Sequence, residues 1–335
     1  MRPDAQDTDG YSLHCKDVPQ LDPGALLALP AADAAFPAHL RDLLKWTTDA
    51  APYRAAASAN RVVSAMKPEH LRLQLERNKI ALQPDPKGFC KVFLVPEHAK
   101  RRWRFIQHPR LANMLTAQDD KVTFTPFYER HNAVLRGRYA VDLDWAAFFD
   151  QFGLSDEVSP YFSFAVSGGA VYSMKVLPMG LKHSVSIAHT ATMQLLNFGP
   201  SSYVEAYIDN VRLVSDDRDA LIQDAATLLC RCAAAGVTVN EADVRPLATL
   251  RGAAQRAASR RLAEPLCRQQ GDWLGERYDY AAKTVALADK TRSKVRRERG
   301  VSWLSSASTG NHERNRSDAC LGATEHGACG RAHTR

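Results

Sequence analysis

Residues 203–217 read YVEAYIDNVRLVSDD. Val204, Ala206 and Ile208 alternate along the first half, and Val211, Leu213 and Val214 form a second apolar run, with Asp209 and Asn210 between them. Two short strand-like segments about an acidic turn read as a β-hairpin with a carboxylate at its tip. A carboxylate on a rigid hairpin presents an oxygen ligand to a hard cation such as Mg²⁺. Asp and Asn are also ordinary turn residues, so the rest of the chain has to decide between the two readings.

Downstream, residues 218–235 read as a helix. Ala220, Leu221, Ala225, Leu228, Leu229 and Cys232 make its apolar face, and Gly236 ends it. VTVN (237–240) is a short strand, residues 246–270 are rich in Ala and Arg without a clear role, and 273–287 read as another hairpin. Upstream, LPMGLKHS (177–184) leads into a helix over 185–197. Its polar entry, with Lys182, His183 and Ser184, suits an anion such as phosphate.

PYFSFAV and AVYSMKV flank Ser167-Gly168-Gly169 as two strands and a turn. A strand over 139–143 runs into Asp144, which shares a strand face with Asp142. CKVFLV (90–95) and a strand over 103–107 enclose a basic tip with Lys100, Arg101, Arg102 and Arg104. That tip is either a phosphate-binding loop or a solvated turn. Residues 61–83 have helical spacing broken at Pro68. Residues 1–60 are Ala- and Pro-rich and expected to be loosely ordered, apart from a short amphipathic helix over 38–46. The order of elements is α+β with a mainly antiparallel sheet.

The bulk properties are permissive. Of 335 residues 45% are hydrophobic, which allows a real core. The net charge of +7 leans toward a polyanionic partner such as nucleic acid, although a modest positive excess is common in soluble proteins. No run approaches the roughly 18 apolar residues of a membrane span. The acidic N-terminus lacks the apolar segment of a secretory signal. Seven cysteines, with neither a CxxC pair nor zinc spacing, read as reduced thiols of an intracellular, cytoplasmic or nuclear protein that is not secreted.

Six blocks, in order, resemble a retroelement reverse transcriptase. VFLVPEHAKRRWRFIQHPRLAN (92–113) resembles the fingers block. LDWAAFFDQF (143–152) is similar to the motif carrying the first catalytic Asp. Residues 161–196 resemble the segment through L-P-x-G-L and its helix, and YIDN (207–210) resembles Y-x-D-D. GVTVN (236–240) and WLGERYDY (273–280) resemble the palm strand and the primer-grip hairpin. Within that family the flavour resembles trypanosomatid and tyrosine-recombinase retroelements.

The resemblance implies an α+β right-hand polymerase. Residues 61–135 would be fingers and 136–290 palm, with a fingers-type segment near 150–180 and an irregular connection over 241–270. Residues 291–335 would form a basic, disordered tail. It implies two Mg²⁺ ions, or Mn²⁺, held by Asp144 and Asp209, with Asn210 a third member of the catalytic set. Lys100, Arg102, Arg104, Met179, Gly180 and Lys182 would contact the nucleotide, and Phe149 would exclude a 2′-hydroxyl. Trp273, Leu274 and Gly275 would support the primer end. The implied partners are an RNA template, a DNA primer and dNTPs.

Two departures stand out. Asn210 replaces the second Asp of the hairpin and offers an oxygen but no charge. Nothing after Leu287 reads as a thumb. A truncated, catalytically impaired remnant that only binds nucleic acid is therefore the alternative. An RNA-directed RNA polymerase shares the palm logic, but Phe149 argues against ribonucleotides.

Overall fold

The computed structural model describes residues 10–57, 61, 63–116 and 122–295. The chain divides into two compact units, one running to Ala286 and one from Leu287 onward. In the second unit, Arg292 and Asp289 pair at 3.8 Å one helical turn apart. Residues 289–295 are helical, so the tail expected to be disordered over 291–335 begins in a helix; from residue 296 that tail, and most of the stretch after Leu287 in which no thumb is expected, lies outside the described residues.

The first unit opens with β1 (Ser12–His14), α1 (Pro23–Leu27) and α2 (Ala35–Thr48). The N-terminal region is therefore not loosely ordered over residues 10–57. Leu26, Leu40 and Tyr53 are fully buried. Asp22 caps α1 by accepting from the Ala25 N–H at 2.9 Å. Next come β2 (Val63–Ser64), α3 (Pro68–Glu76) and β3 (Ile80–Leu82). The helical stretch expected over 61–83, broken at Pro68, is thus three elements, of which only α3 is helical. Pro68 starts α3, where its missing N–H costs nothing, and Asn78 with φ +51° turns the chain out of it.

β4 (Lys91–Glu97) and β5 (Arg102–His108) form the antiparallel hairpin read from the sequence. β1 adds to its free edge in parallel, with Ser12 opposite Arg102 and His14 opposite Arg104. The short helices α4 (Arg110–Leu115) and α5 (Phe127–Asn132) follow, then β6 (Tyr139–Asp144). β7 (Ser163–Val166) and β8 (Val171–Met174) pair antiparallel through the Gly168-Gly169 turn, where both φ values are positive. With β2 and β3 they make a four-stranded sheet in the order β2-β7-β8-β3.

α6 (Ser184–Leu196), β9 (Tyr203–Tyr207), β10 (Asn210–Ser215) and α7 (Arg218–Ala235) build the centre. Gly236, with φ +72°, ends α7 in the left-handed conformation that Gly adopts at no steric cost. Then come α8 (Gly252–Ala263) and, in place of the hairpin expected over 273–287, a three-stranded sheet in which β11 (Gln270–Trp273) and β12 (Glu276–Asp279) form a hairpin and β13 (Thr284–Leu287) adds beside β12. The irregular 241–270 connection is thus corrected. Ala and Arg are strong helix formers, and α8 packs along α7. VTVN forms no full strand; Val239 makes an isolated bridge with Trp145.

The central sheet runs β6-β10-β9, antiparallel throughout. Its middle strand, β10, is buried on both faces. Val211 and Leu213 join the main core under α7, while Val214 belongs to a second cluster with Trp273, Tyr278 and Tyr280. Alternation along one strand thus feeds two cores.

Candidate active site

β9 and β10 are joined by Ile208-Asp209 alone, since Tyr207 lies opposite Asn210. A two-residue loop needs a positive φ at its first position to follow the strand twist, and Ile208 supplies it at φ +57°. For a β-branched residue this is an outlier of the kind that costs about 1–3 kcal/mol. The strain is held by α6, where the Thr192 hydroxyl donates to the Ile208 carbonyl at 2.6 Å. Trp145 is fully buried beneath it and donates its indole N–H to the same hydroxyl at 2.9 Å.

Asp144, the last residue of β6, lies opposite Asn210 in the sheet. The Trp145 N–H donates to the Asp209 backbone carbonyl at 2.8 Å. The two aspartates read from the sequence therefore stand at the same end of the sheet and line the same cleft. Asn210 turns its amide to Asp209, donating to Oδ1 at 2.9 Å. Burial, and then the neighbouring Asp144 charge, push the Asp209 carboxyl up to about 6. Burial also raises Asp144, against a hydrogen bond from Asn240 and the charges of Lys16 and Lys100.

Asn240 and Glu241 hold Asp144 in place. Asn240 donates from Nδ2 to Asp144 Oδ2 at 2.6 Å, and its own Oδ1 accepts from Lys16. Only one orientation of the amide satisfies both neighbours. The Asp144 backbone N–H donates to Glu241 Oε2 at 3.0 Å. Sequence reading missed Lys16 and Glu241 altogether, and it quoted Asn240 only as part of a strand.

The rest of the cleft lining is largely cationic. Lys100, Arg102 and Arg104 line the cleft with Asp144 and Asp209, as do Phe149 and Met179. Glu97 ties Arg102 and Arg104 together, accepting from both, from Arg104 at 2.6 Å. Burial pushes the Glu97 carboxyl up, but the two guanidiniums bring it below its ordinary value. β1 adds His14, whose Nδ1 accepts from Arg102 at 2.8 Å. An arginine can only donate, so this ring nitrogen is unprotonated. Burial and the adjacent arginines accordingly lower His14 to about 4. Deeper in the cleft, buried Lys79 faces Asp150 at 3.7 Å.

Five residues expected to contact the nucleotide or the primer are not among those that line this cleft. Lys182 donates from Nζ to the Thr116 carbonyl at 2.6 Å, at the end of α4, and does not line the cleft. A Cβ on Gly180 would overlap the Gln107 carbonyl oxygen of β5, so this glycine serves close packing within the protein. Trp273, Leu274 and Gly275 belong to the β11–β12 hairpin and are not part of the cleft wall. Trp273 is buried, while Leu274 and Gly275, both at positive φ, form a two-residue turn with Leu274 exposed at its tip.

The donors suit a hard divalent cation. Among the described residues no three His, Cys, Asp or Glu side chains are grouped to hold a metal ion. Mg²⁺, however, commonly takes one or two carboxylates and completes its shell with water and substrate phosphates.

Residues 95–247 match the family described as Reverse transcriptase (RNA-dependent DNA polymerase). A stretch of 153 residues is 26% identical to the Gag-Pol polyprotein of Walleye dermal sarcoma virus. It makes up 45% of this chain and 9% of that polyprotein. Among solved structures, a foamy viral protease–reverse transcriptase in complex with double-stranded DNA matches with a TM-score of 0.55 at 12% identity. The match covers 85% of this chain and 51% of that one. The α+β fold is thus that of a reverse transcriptase. No helix among the described residues is long and apolar enough to cross a membrane.

Proposed function

We propose that the chain is an RNA-directed DNA polymerase, adding deoxynucleotides to a DNA primer 3′-hydroxyl on an RNA template. The observation that carries this reading is the convergence of Asp144 and Asp209 at one end of the β6–β10–β9 sheet, in a cleft that Lys100, Arg102 and Arg104 also line. Two Mg²⁺ ions, or Mn²⁺, held by these carboxylates would lower the pKa of the primer hydroxyl and neutralise the pyrophosphate leaving group. The protein's own part is positioning and charge.

Asn240 keeps the Asp144 carboxylate facing the cleft. Arg102 and Arg104 offer planar forks to a triphosphate, which must first displace Glu97. Met179 borders the nucleotide. The β11–β12 turn, with Trp273 behind Leu274 and Gly275, supports the primer end. On this reading the β4–β5 hairpin belongs to the fingers and the central sheet to the palm. The described cysteines are free thiols, which suits an intracellular setting. The quoted blocks favour a trypanosomatid tyrosine-recombinase retrotransposon as the source.

Phe149 lines the cleft near both aspartates and is the sugar-selecting residue of this proposal. Phe149→Ala is expected to raise ribonucleotide use relative to deoxynucleotide by about tenfold to a hundredfold, the worth of a steric contact in an apolar pocket. Single-nucleotide incorporation opposite an RNA template, with dNTP and rNTP compared, tests both the reaction and the gate. Unchanged discrimination would remove Phe149 from this role. The second reading, a remnant that binds nucleic acid without chemistry, rests on Asn210, which brings no charge to the metal site.

A further inference from the structure

The second face of the central sheet carries a buried cation that the site above does not use. Arg212 follows Asn210 by two residues on β10 and is completely inaccessible. Its guanidinium lies 3.9 Å from the ring centre of Tyr278, 4.5 Å from that of Trp273 and 5.9 Å from that of Tyr280. Strand register places Arg212 opposite Asp142 on β6 and Glu205 on β9. Asp142 Oδ1 accepts from Arg212 Nε at 3.1 Å. Glu205 Oε2 lies 3.9 Å from Nη1, an ion pair too long for a hydrogen bond. The other Glu205 oxygen accepts from the Trp273 indole at 3.2 Å.

One side chain thus engages both neighbouring strands and stacks on the β11–β12 hairpin. The hairpin is seated closely, since a Cβ on Gly271 would lie 2.5 Å from Asp142 Oδ2. This is a costly way to fill a core. Neither Nη1 nor Nη2 of Arg212 has a hydrogen-bonded partner among the described residues, and two carboxylates share one cation. A charged cluster of this kind is often replaced by apolar groups of similar volume with no loss of stability. What apolar packing lacks is direction. A planar cation between aromatic faces and two fixed carboxylates admits one seating of the hairpin, whereas apolar rings can slide.

We propose that Arg212 is a positioning residue that fixes the Leu274-Gly275 turn relative to Asp209, and so sets where a primer end meets the catalytic carboxylates. The functional half of this statement rests on the polymerase reading; the seating of the hairpin does not.

The test uses the full chain with two variants. Arg212→Lys keeps the charge but loses the planar fork. The triple variant Arg212→Met, Asp142→Asn, Glu205→Gln removes the cation together with the two carboxylates paired to it. Amide exchange over residues 270–280 reads the seating directly, with or without activity. It should rise about tenfold or more in both variants while exchange in α7 stays as in wild type. In primer extension, KM for primer–template should rise about tenfold with KM for dNTP unchanged. Leu274→Ala should add less in either background than it does in wild type, as expected for residues acting together. Wild-type exchange over 270–280 in the folded triple variant or in Arg212→Lys overturns the seating. Loosened exchange with an unchanged primer–template KM overturns the link to the primer. A wild-type protein that extends no primer counts against the polymerase reading, and the exchange result still decides the seating.

Discussion

Asp209→Asn is expected to lower primer extension at least about a thousandfold, equivalent to some 4 kcal/mol of transition-state stabilisation. The substitution is nearly isosteric and spares the backbone carbonyl of residue 209, which accepts from the Trp145 N–H. Hairpin and sheet should therefore stay intact. What disappears is one of two full negative charges, and Asn210 beside it carries none. Stability should move the other way. The Asp209 carboxyl is raised from 3.8 to about 6, so the folded state holds more protons than the unfolded state in that window, and stability falls as pH rises through it. At neutral pH without metal, the ionised Asp209 is a burden that Asn relieves. Thermal midpoints should show the variant at or above wild type at pH 7, with the advantage shrinking as pH falls toward 4. A variant that lost both activity and stability would point to a structural role for Asp209 instead.

Gly180→Ala is expected to cost about 3 kcal/mol, at the upper end of the overpacking range, because the clash is with backbone that cannot rotate away. The neighbourhood is tightly cross-linked. Asn113 donates to the Gly180 carbonyl at 2.8 Å and accepts from the Lys182 N–H at 2.9 Å. The Met179 N–H donates to Gln107 Oε1 at 3.2 Å. A methyl group at residue 180 must push this segment away from β5, moving Met179 and, through the strand, Arg104. Chemical denaturation should show the loss of stability. If this glycine instead served the approach of a nucleotide, Ala would raise KM for dNTP and leave stability unchanged.

Much of the site could be read because its determinants are local. The apolar alternation about Asp209-Asn210, the strand ending in Asp144 and the basic tip before Arg104 each follow from short-range pattern. What stayed hidden depends on distant contacts. Lys16 meets Asn240 across 224 positions, and no feature of residues 10–20 announces a cleft residue. Arg212 sits in a strand that reads as apolar, and its partners come from β6, β9 and the β11–β12 hairpin. Glu97 was read as part of a basic tip, yet it is the group that holds Arg102 and Arg104. α8 was legible and went unread: an Ala- and Arg-rich stretch has high helix propensity even without a bulky apolar face.

Extension of a DNA primer on an RNA template, with dNTPs and Mg²⁺ or Mn²⁺, measured beside binding of the same RNA–DNA hybrid, distinguishes a polymerase from a protein that only binds nucleic acid. The convergence of Asp144 and Asp209 predicts metal-dependent extension that Asp209→Asn abolishes. A folded protein that binds the hybrid but adds no nucleotide with either metal would contradict the account and leave the chain a nucleic-acid-binding remnant.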